Sequence, residues 1–95
     1  MKTLKFLRKK QMDDVQIIVL VNGTVLISRI AAIVSELGEP DCKLINPHQI
    51  SEEKLIPWLS ELTDATDAIM ISSDKILTLV DPKETLLNDY LTLTK

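Results

Sequence analysis

Cys42 and His48 are the only cysteine and the only histidine in 95 residues. A thiolate nucleophile activated by an imidazole is the sharpest chemistry these two could do. With no second cysteine there is no internal disulfide and no cysteine-based metal centre. Zinc needs more nitrogen and sulfur ligands than this chain offers. The plain alternative for Cys42 is a small buried apolar side chain. The 14 acidic residues are scattered among loops and turns, and nothing pairs two of them as general acid and base. Only two glycines are present, too few for the cradles and strained turns of most active sites. The expectation is a protein without enzymatic activity, with no cofactor, no metal and no small-molecule substrate.

The other side chains of interest are suited to binding. Asn46, before Pro47, either reads a ligand edge or caps its own backbone in an Asn-Pro turn. Ser72, Ser73 and Lys75 offer hydroxyls and a cation to a phosphate, or form a polar hairpin tip. Trp58, after Pro57, is either an anchor for a partner or a filler of a core or subunit interface. Arg29 stands in an apolar strand and calls for an acid: Glu36, Glu39 or one from a neighbouring subunit.

Charge divides the chain. Five of the 11 basic residues, Lys2, Lys5, Arg8, Lys9 and Lys10, lie in the first ten positions, and no acid precedes Asp13. Taking those five away leaves six basic groups against 14 acidic ones, a net of −8 over residues 12–95. Such a body repels a phosphate backbone except at local basic spots. Residues 1–12 read as a flexible basic arm, disordered or a short amphipathic helix through Leu4, Phe6 and Leu7. The composition changes so abruptly at Met12 that it could itself be a translation start. The apolar run at 17–21 is too short to span a membrane, and no small-residue cleavage site follows it.

The elements that must position these residues begin with Asn22-Gly23, a strong hairpin signal between apolar runs at 15–21 and 24–34, the second strand being expected over 24–36. The second run is apolar on both parities, with Val25, Ile27, Ala31 and Ile33 on one and Leu26, Ile30, Ala32 and Val34 on the other. A strand of that kind needs cover on both faces, and a second copy of the chain would supply it. The same strand is long enough to bend or carry a bulge near 29–32. A third strand is expected over 42–46, stopped by Pro47, with 48–54 as loop. Pro57 limits 55–62 to an edge strand. A fourth strand is expected over 68–72, broken at Ser73-Asp74 and resumed over 76–80. Asp81-Pro82-Lys83-Glu84 has the form of a capping box and predicts a helix over 82–93. The fold class expected is mainly β: a small, strongly bent five-stranded antiparallel barrel with a C-terminal helix.

Four segments, in this order, resemble the Sm-like (LSm) family. Ile18-Val19-Leu20-Val21-Asn22-Gly23-Thr24 looks like its first hairpin, and Cys42-Lys43-Leu44-Ile45-Asn46-Pro47 like its third strand. Ile71-Ser72-Ser73-Asp74-Lys75-Ile76 looks like its second motif, and 81–90 like the C-terminal helix of its phage branch. The resemblance covers residues 13–95 and is closest to Sm-like proteins of tailed phages, including those infecting cyanobacteria. It implies an Sm-like barrel that closes into a homo-oligomeric ring of roughly five to seven copies, edge strands of adjacent subunits pairing. Ile27, Ile30, Arg29 and Trp58 would then lie at the subunit interface. It also implies single-stranded RNA bound through Asn46, Ser72, Ser73 and Lys75, in the cytoplasm of a bacterial host. The chain departs from the family where Ile71-Ser72-Ser73 replaces Ile-Arg-Gly and where no aromatic accompanies Asn46. Two other roles fit the acidic body: a scaffold that docks a basic protein, or a part of a virion or its assembly machinery.

Overall fold

The computed structural model describes residues 15–94. The basic arm and the start at Met12 lie outside the described residues. Strands β1 (Val15–Leu20), β2 (Val25–Ala32), β3 (Cys42–Ser51), β4 (Lys54–Pro57), β5 (Ala68–Ile71) and β6 (Ile76–Val80) make one antiparallel sheet. A 3₁₀ turn, Ser73–Lys75, joins β5 to β6, and helix α1 (Glu84–Leu93) follows. The strand order is β4-β3-β2-β1-β6, with β5 on the same edge of β3 as β4. The path is open, because β5 and β6 are neighbours in sequence but do not pair, so the expected closure into a barrel is not made.

The Asn22-Gly23 signal does form a hairpin, through a three-residue loop. Only Gly23 of the pair has positive φ, at +92°. Its N–H donates to Leu20 O at 2.9 Å, and Asn22 Oδ1 accepts the Thr24 N–H at 3.0 Å. That is a turn followed by a left-handed glycine, a common hairpin loop. The β3–β4 turn instead puts two glutamates in the left-handed region, Glu52 at +50° and Glu53 at +65°.

β1 alternates strictly, burying Gln16, Ile18 and Leu20. Ile18 and Leu20 join Leu26, Ile30, Cys42, Leu44 and Ile71 in one aliphatic cluster, with Trp58, Ile76 and Leu79 packed on its rim. Fully burying a side chain of this size contributes about 1.5–3 kcal/mol. Ile27 is also 0% exposed but lies outside that cluster, in one cross-strand row with Ile17 and His48. His48 in turn meets the Tyr90 ring edge-on at 5.6 Å. The second apolar face of β2 is therefore covered by the chain's own helix.

β2 ends at Ala32, four residues before the strand end expected at 36. β3 is longer than expected because Pro47 does not stop it. The register passes from Ile27↔His48 to Arg29↔Ile45, so Asn46 and Pro47 together face the single residue Ser28. The bulge lies in β3 opposite Ser28, and Asn46 supplies its left-handed residue at φ +54°. A proline is tolerated there because the bulge asks no ladder hydrogen bond of it. The bulge also divides the outer edge of β3: 42–45 pairs β5 and 48–51 pairs β4.

Helix α1 begins two residues later than the expected 82. Lys83 is the N-cap, without a side-chain capping bond, and its carbonyl accepts the Leu87 N–H at 2.9 Å. The Asp81 carboxylate is used elsewhere: Oδ1 accepts Nε2 of the buried Gln16 at 2.8 Å. Pairing the buried Gln16 amide nitrogen outweighs a cap that water can replace.

Candidate functional site

The 33–41 connection bends away from the sheet and comes back to it. Ile33 N–H donates to Asp41 O at 2.8 Å, Glu39 N–H to Glu36 O at 3.0 Å, and Gly38 takes φ +87°. Across from it stands the 3₁₀ turn, closed by Lys75 N–H to Ser72 O at 3.0 Å. Asp41 fastens the two together. Its Oδ1 accepts the Ser73 N–H and its Oδ2 the Ser73 hydroxyl, both at 2.7 Å. These bonds hold the Asp41 carboxyl below its ordinary 3.8, the Ser73 hydroxyl first and the Ser73 amide second.

Between these walls runs a groove of about 690 Å³, lined by 32–39, Asp41 and 72–74. Its charged lining is wholly acidic: Glu36, Glu39, Asp41 and Asp74. Val34 and Leu37, on the loop wall, are fully exposed at 101% and 104%. Aliphatic side chains in water beside carboxylates suit a ligand that is both apolar and cationic.

The residues expected to hold RNA fall at two places, Ser72, Ser73 and Lys75 at the 3₁₀ turn and Asn46 apart from them. Ser72 and Ser73 line the groove, but Ser73 is buried and both its donors are taken by Asp41. Lys75 is exposed at the end of the 3₁₀ turn. Asn46 lies at the other end of β5, its N–H donating to Asp67 O at 2.9 Å. The four residues of β5 lie between Asp67 and Ser72, a separation of about 16 Å over five steps of extended chain.

Asn46 belongs to a second polar cluster, beneath α1. The fully buried Tyr90 hydroxyl donates toward Ile45 O at 2.9 Å and Asn46 O at 3.0 Å, and accepts the Arg29 N–H at 3.3 Å. Burial raises the phenol above its ordinary value, so it stays a neutral donor. His48 Nδ1 lies 2.9 Å from Asn46 O, which fixes Nδ1 as the protonated nitrogen because a carbonyl only accepts. Arg29 finds no acid among the described residues. Its guanidinium lies 5.4 Å from the centre of the Tyr90 ring and donates to Thr94 Oγ1 at 3.3 Å. This cluster anchors the helix.

The remaining sequence candidates are likewise built into the structure. Ile27 and Ile30 are buried within the single chain, and Trp58 packs on the aliphatic cluster while its N–H donates to Pro47 O at 2.9 Å. Cys42 is buried beside Asp41, and burial first, then that carboxylate, push its thiol up to about 11. Such a thiol is a poor nucleophile. No group of three or more metal-ligating side chains occurs among the described residues, and no described helix is long and apolar enough to cross a membrane.

Sequence reasoning missed Asp41 and Tyr90. Asp41 carries no local sign of its role, because its partner is 32 positions away. The signal for Tyr90 is its hydroxyl, the one polar atom on the stripe of Leu86, Leu87, Tyr90, Leu91 and Leu93.

No curated protein matches the chain. A family model described as a family of unknown function, DUF6561, matches residues 13–95, and the chain belongs to that family.

Proposed function

We propose that this chain is a non-enzymatic docking module that receives a basic, apolar protein segment in the groove between the 33–41 loop and the 3₁₀ turn. The observation that carries this reading is the lining of that groove: four carboxylates, no cation, and two fully exposed aliphatic side chains. A phosphate backbone is repelled there, while a lysine or arginine with a neighbouring leucine is attracted. The test is fluorescence anisotropy with three labelled probes: oligo-U, oligo-A and a peptide of alternating Lys and Leu. The full chain should bind the peptide, and Glu36→Lys/Glu39→Lys should weaken it about tenfold or more, the scale of two charge contacts. Oligonucleotides should bind weakly, without base preference, and lose affinity steeply with salt, since only the arm lysines and Arg8 act on them. Tight, base-selective oligo-U binding that ignores the double substitution would overturn the reading and restore RNA, held through Lys75, Ser72 and Asn46, to first place.

A second reading concerns assembly. An Sm-like plan closing into a homo-oligomeric ring of roughly five to seven subunits is supported by the sheet's two open sides. β6 pairs only with β1, and β4 and β5 pair only with β3, among the described residues. Exposed Leu77 and Val80 stand on one side, Ile56 and Met70 on the other. Unpaired edges of this kind are protected in most proteins. Native mass spectrometry of the wild type and of Leu77→Lys decides it. Leu77 is 68% exposed, so the substitution spares the fold. A multimer that falls to monomer supports edge pairing, and a wild-type monomer sinks it.

A further inference from the structure

The groove has an occupant of the right chemistry in the same polypeptide. We infer that residues 1–11 bind in cis in the groove between the 33–41 loop and the 3₁₀ turn, an inference that rests on reading this groove as a site for basic, apolar segments.

Three observations meet here. The first is charge. The arm carries Lys2, Lys5, Arg8, Lys9 and Lys10 and no acid, and the groove presents Glu36, Glu39, Asp41 and Asp74 and no base. The second is apolar content. Leu4, Phe6 and Leu7 alternate with the arm's cations, and Phe6 is the only phenylalanine in the chain. Val34 and Leu37 are the most exposed aliphatic side chains of the described residues and stand on the groove wall. A space of about 690 Å³ takes several side chains of this size.

The third observation is reach. Val15 pairs with Arg29, only three strand residues short of Ala32, where the groove begins. The arm therefore leaves the sheet about 10 Å from the groove, at the same end. Fourteen residues precede Val15, and a chain of that length can reach roughly 45–50 Å.

The consequence is regulation. A tethered segment acts at an effective concentration on the order of a millimolar. A partner's basic segment must displace it, and a chain begun at Met12 carries the same groove open.

The test places a nitroxide on the full chain through Thr3→Cys. Cys42 is fully buried, so the label goes to residue 3. The result expected is broadening of the backbone amides of 33–39, 41 and 72–74, abolished by Glu36→Lys/Glu39→Lys and by about 1 M salt, where the screening length falls to about 3 Å. Broadening on another face, or no broadening at the groove, overturns the proposal. So does broadening that arises only when spin-labelled chains are mixed with isotope-labelled ones, because that contact is between copies. A second arm separates this failure from failure of the site itself. The Lys-Leu peptide is titrated onto the full chain and onto Lys5→Gln/Arg8→Gln/Lys9→Gln/Lys10→Gln. An arm in the groove makes the neutralised chain bind the peptide roughly tenfold tighter. Equal binding to both, abolished by Glu36→Lys/Glu39→Lys, keeps the groove as a site and removes the arm as its occupant. Binding to neither removes both.

Discussion

Two polar junctions tie distant stretches of this chain together, and they differ in their access to water. Beneath α1, Tyr90 joins the helix to β2 and β3 through the Arg29 amide and the carbonyls of Ile45 and Asn46, and it is fully buried. At the groove, the Asp41 carboxylate joins β3 to the 3₁₀ turn through Ser73, and it stays partly exposed. A buried donor that loses its partner bears the whole cost of desolvation, whereas water replaces the partner of an open one. The first junction is therefore architecture, and the second is a support on which a binding surface can vary. Arg29 and Asn46 are at the buried junction, which is why they serve packing; Ser72 and Asp74 are beside the open one.

The hardest test of that contrast sets Ile27→Asp against Leu37→Asp. Ile27 is 0% exposed and Leu37 is 104% exposed. The first should cost several kcal/mol, enough to unfold a small domain, because it buries an unpaired charge. The second should stay within about 0.5 kcal/mol. Urea midpoints followed by circular dichroism measure both, and similar shifts would break the comparison. Next in size, Tyr90→Phe removes one hydroxyl and takes the Arg29 N–H's partner away, at about 1–3 kcal/mol, while Ser28 Oγ still serves Ile45 O and His48 Nδ1 still serves Asn46 O. A loss below about 0.5 kcal/mol would show that water reaches beneath the helix.

Asp41→Asn should act more weakly, by about 1 kcal/mol at neutral pH, since Asp41 is partly exposed and the amide keeps one acceptor oxygen for the buried Ser73. Its sign with pH is fixed. The folded Asp41 carboxyl is held below 3.8, so its contribution is complete above that value and is lost as pH falls through the lowered one. Wild-type protein should therefore lose more stability than Asp41→Asn in acid, below about pH 4. Parallel curves would mean that the Ser73 contact adds nothing. The smallest expected change is in the stability of Glu36→Lys/Glu39→Lys, within about 0.5 kcal/mol, although the same substitution should remove peptide binding. Loss of stability together with binding would merge the two junctions into one.

Local signals were legible in the sequence, and contacts between distant residues were not. Asn22-Gly23 announced the first hairpin because a left-handed glycine is a local requirement. The apolar parities of β2 announced two covered faces, but not that α1, some 60 residues on, would cover one of them. Pro47 read as a stop because a strand interior has no place for it, yet a left-handed Asn46 turns the same dipeptide into a bulge. Asp81 read as a helix cap, and the competing demand came from Gln16, 65 positions away. At the groove, Ser72 and Ser73 stood out by type. Asp41, the residue that holds them against the loop, became visible only when 32 residues of separation closed to 2.7 Å.

Arg29 has one more consequence. Its backbone pairs with Val15, the first described residue, and its guanidinium holds Thr94, the last. The two ends of the folded body are thus a single side chain apart. Cutting the chain in the exposed 59–65 loop and splicing the old ends through a short linker should yield a circular permutant with the same sheet. In that rearranged chain the groove would have no arm leading into it, while every strand pairing in the body was kept.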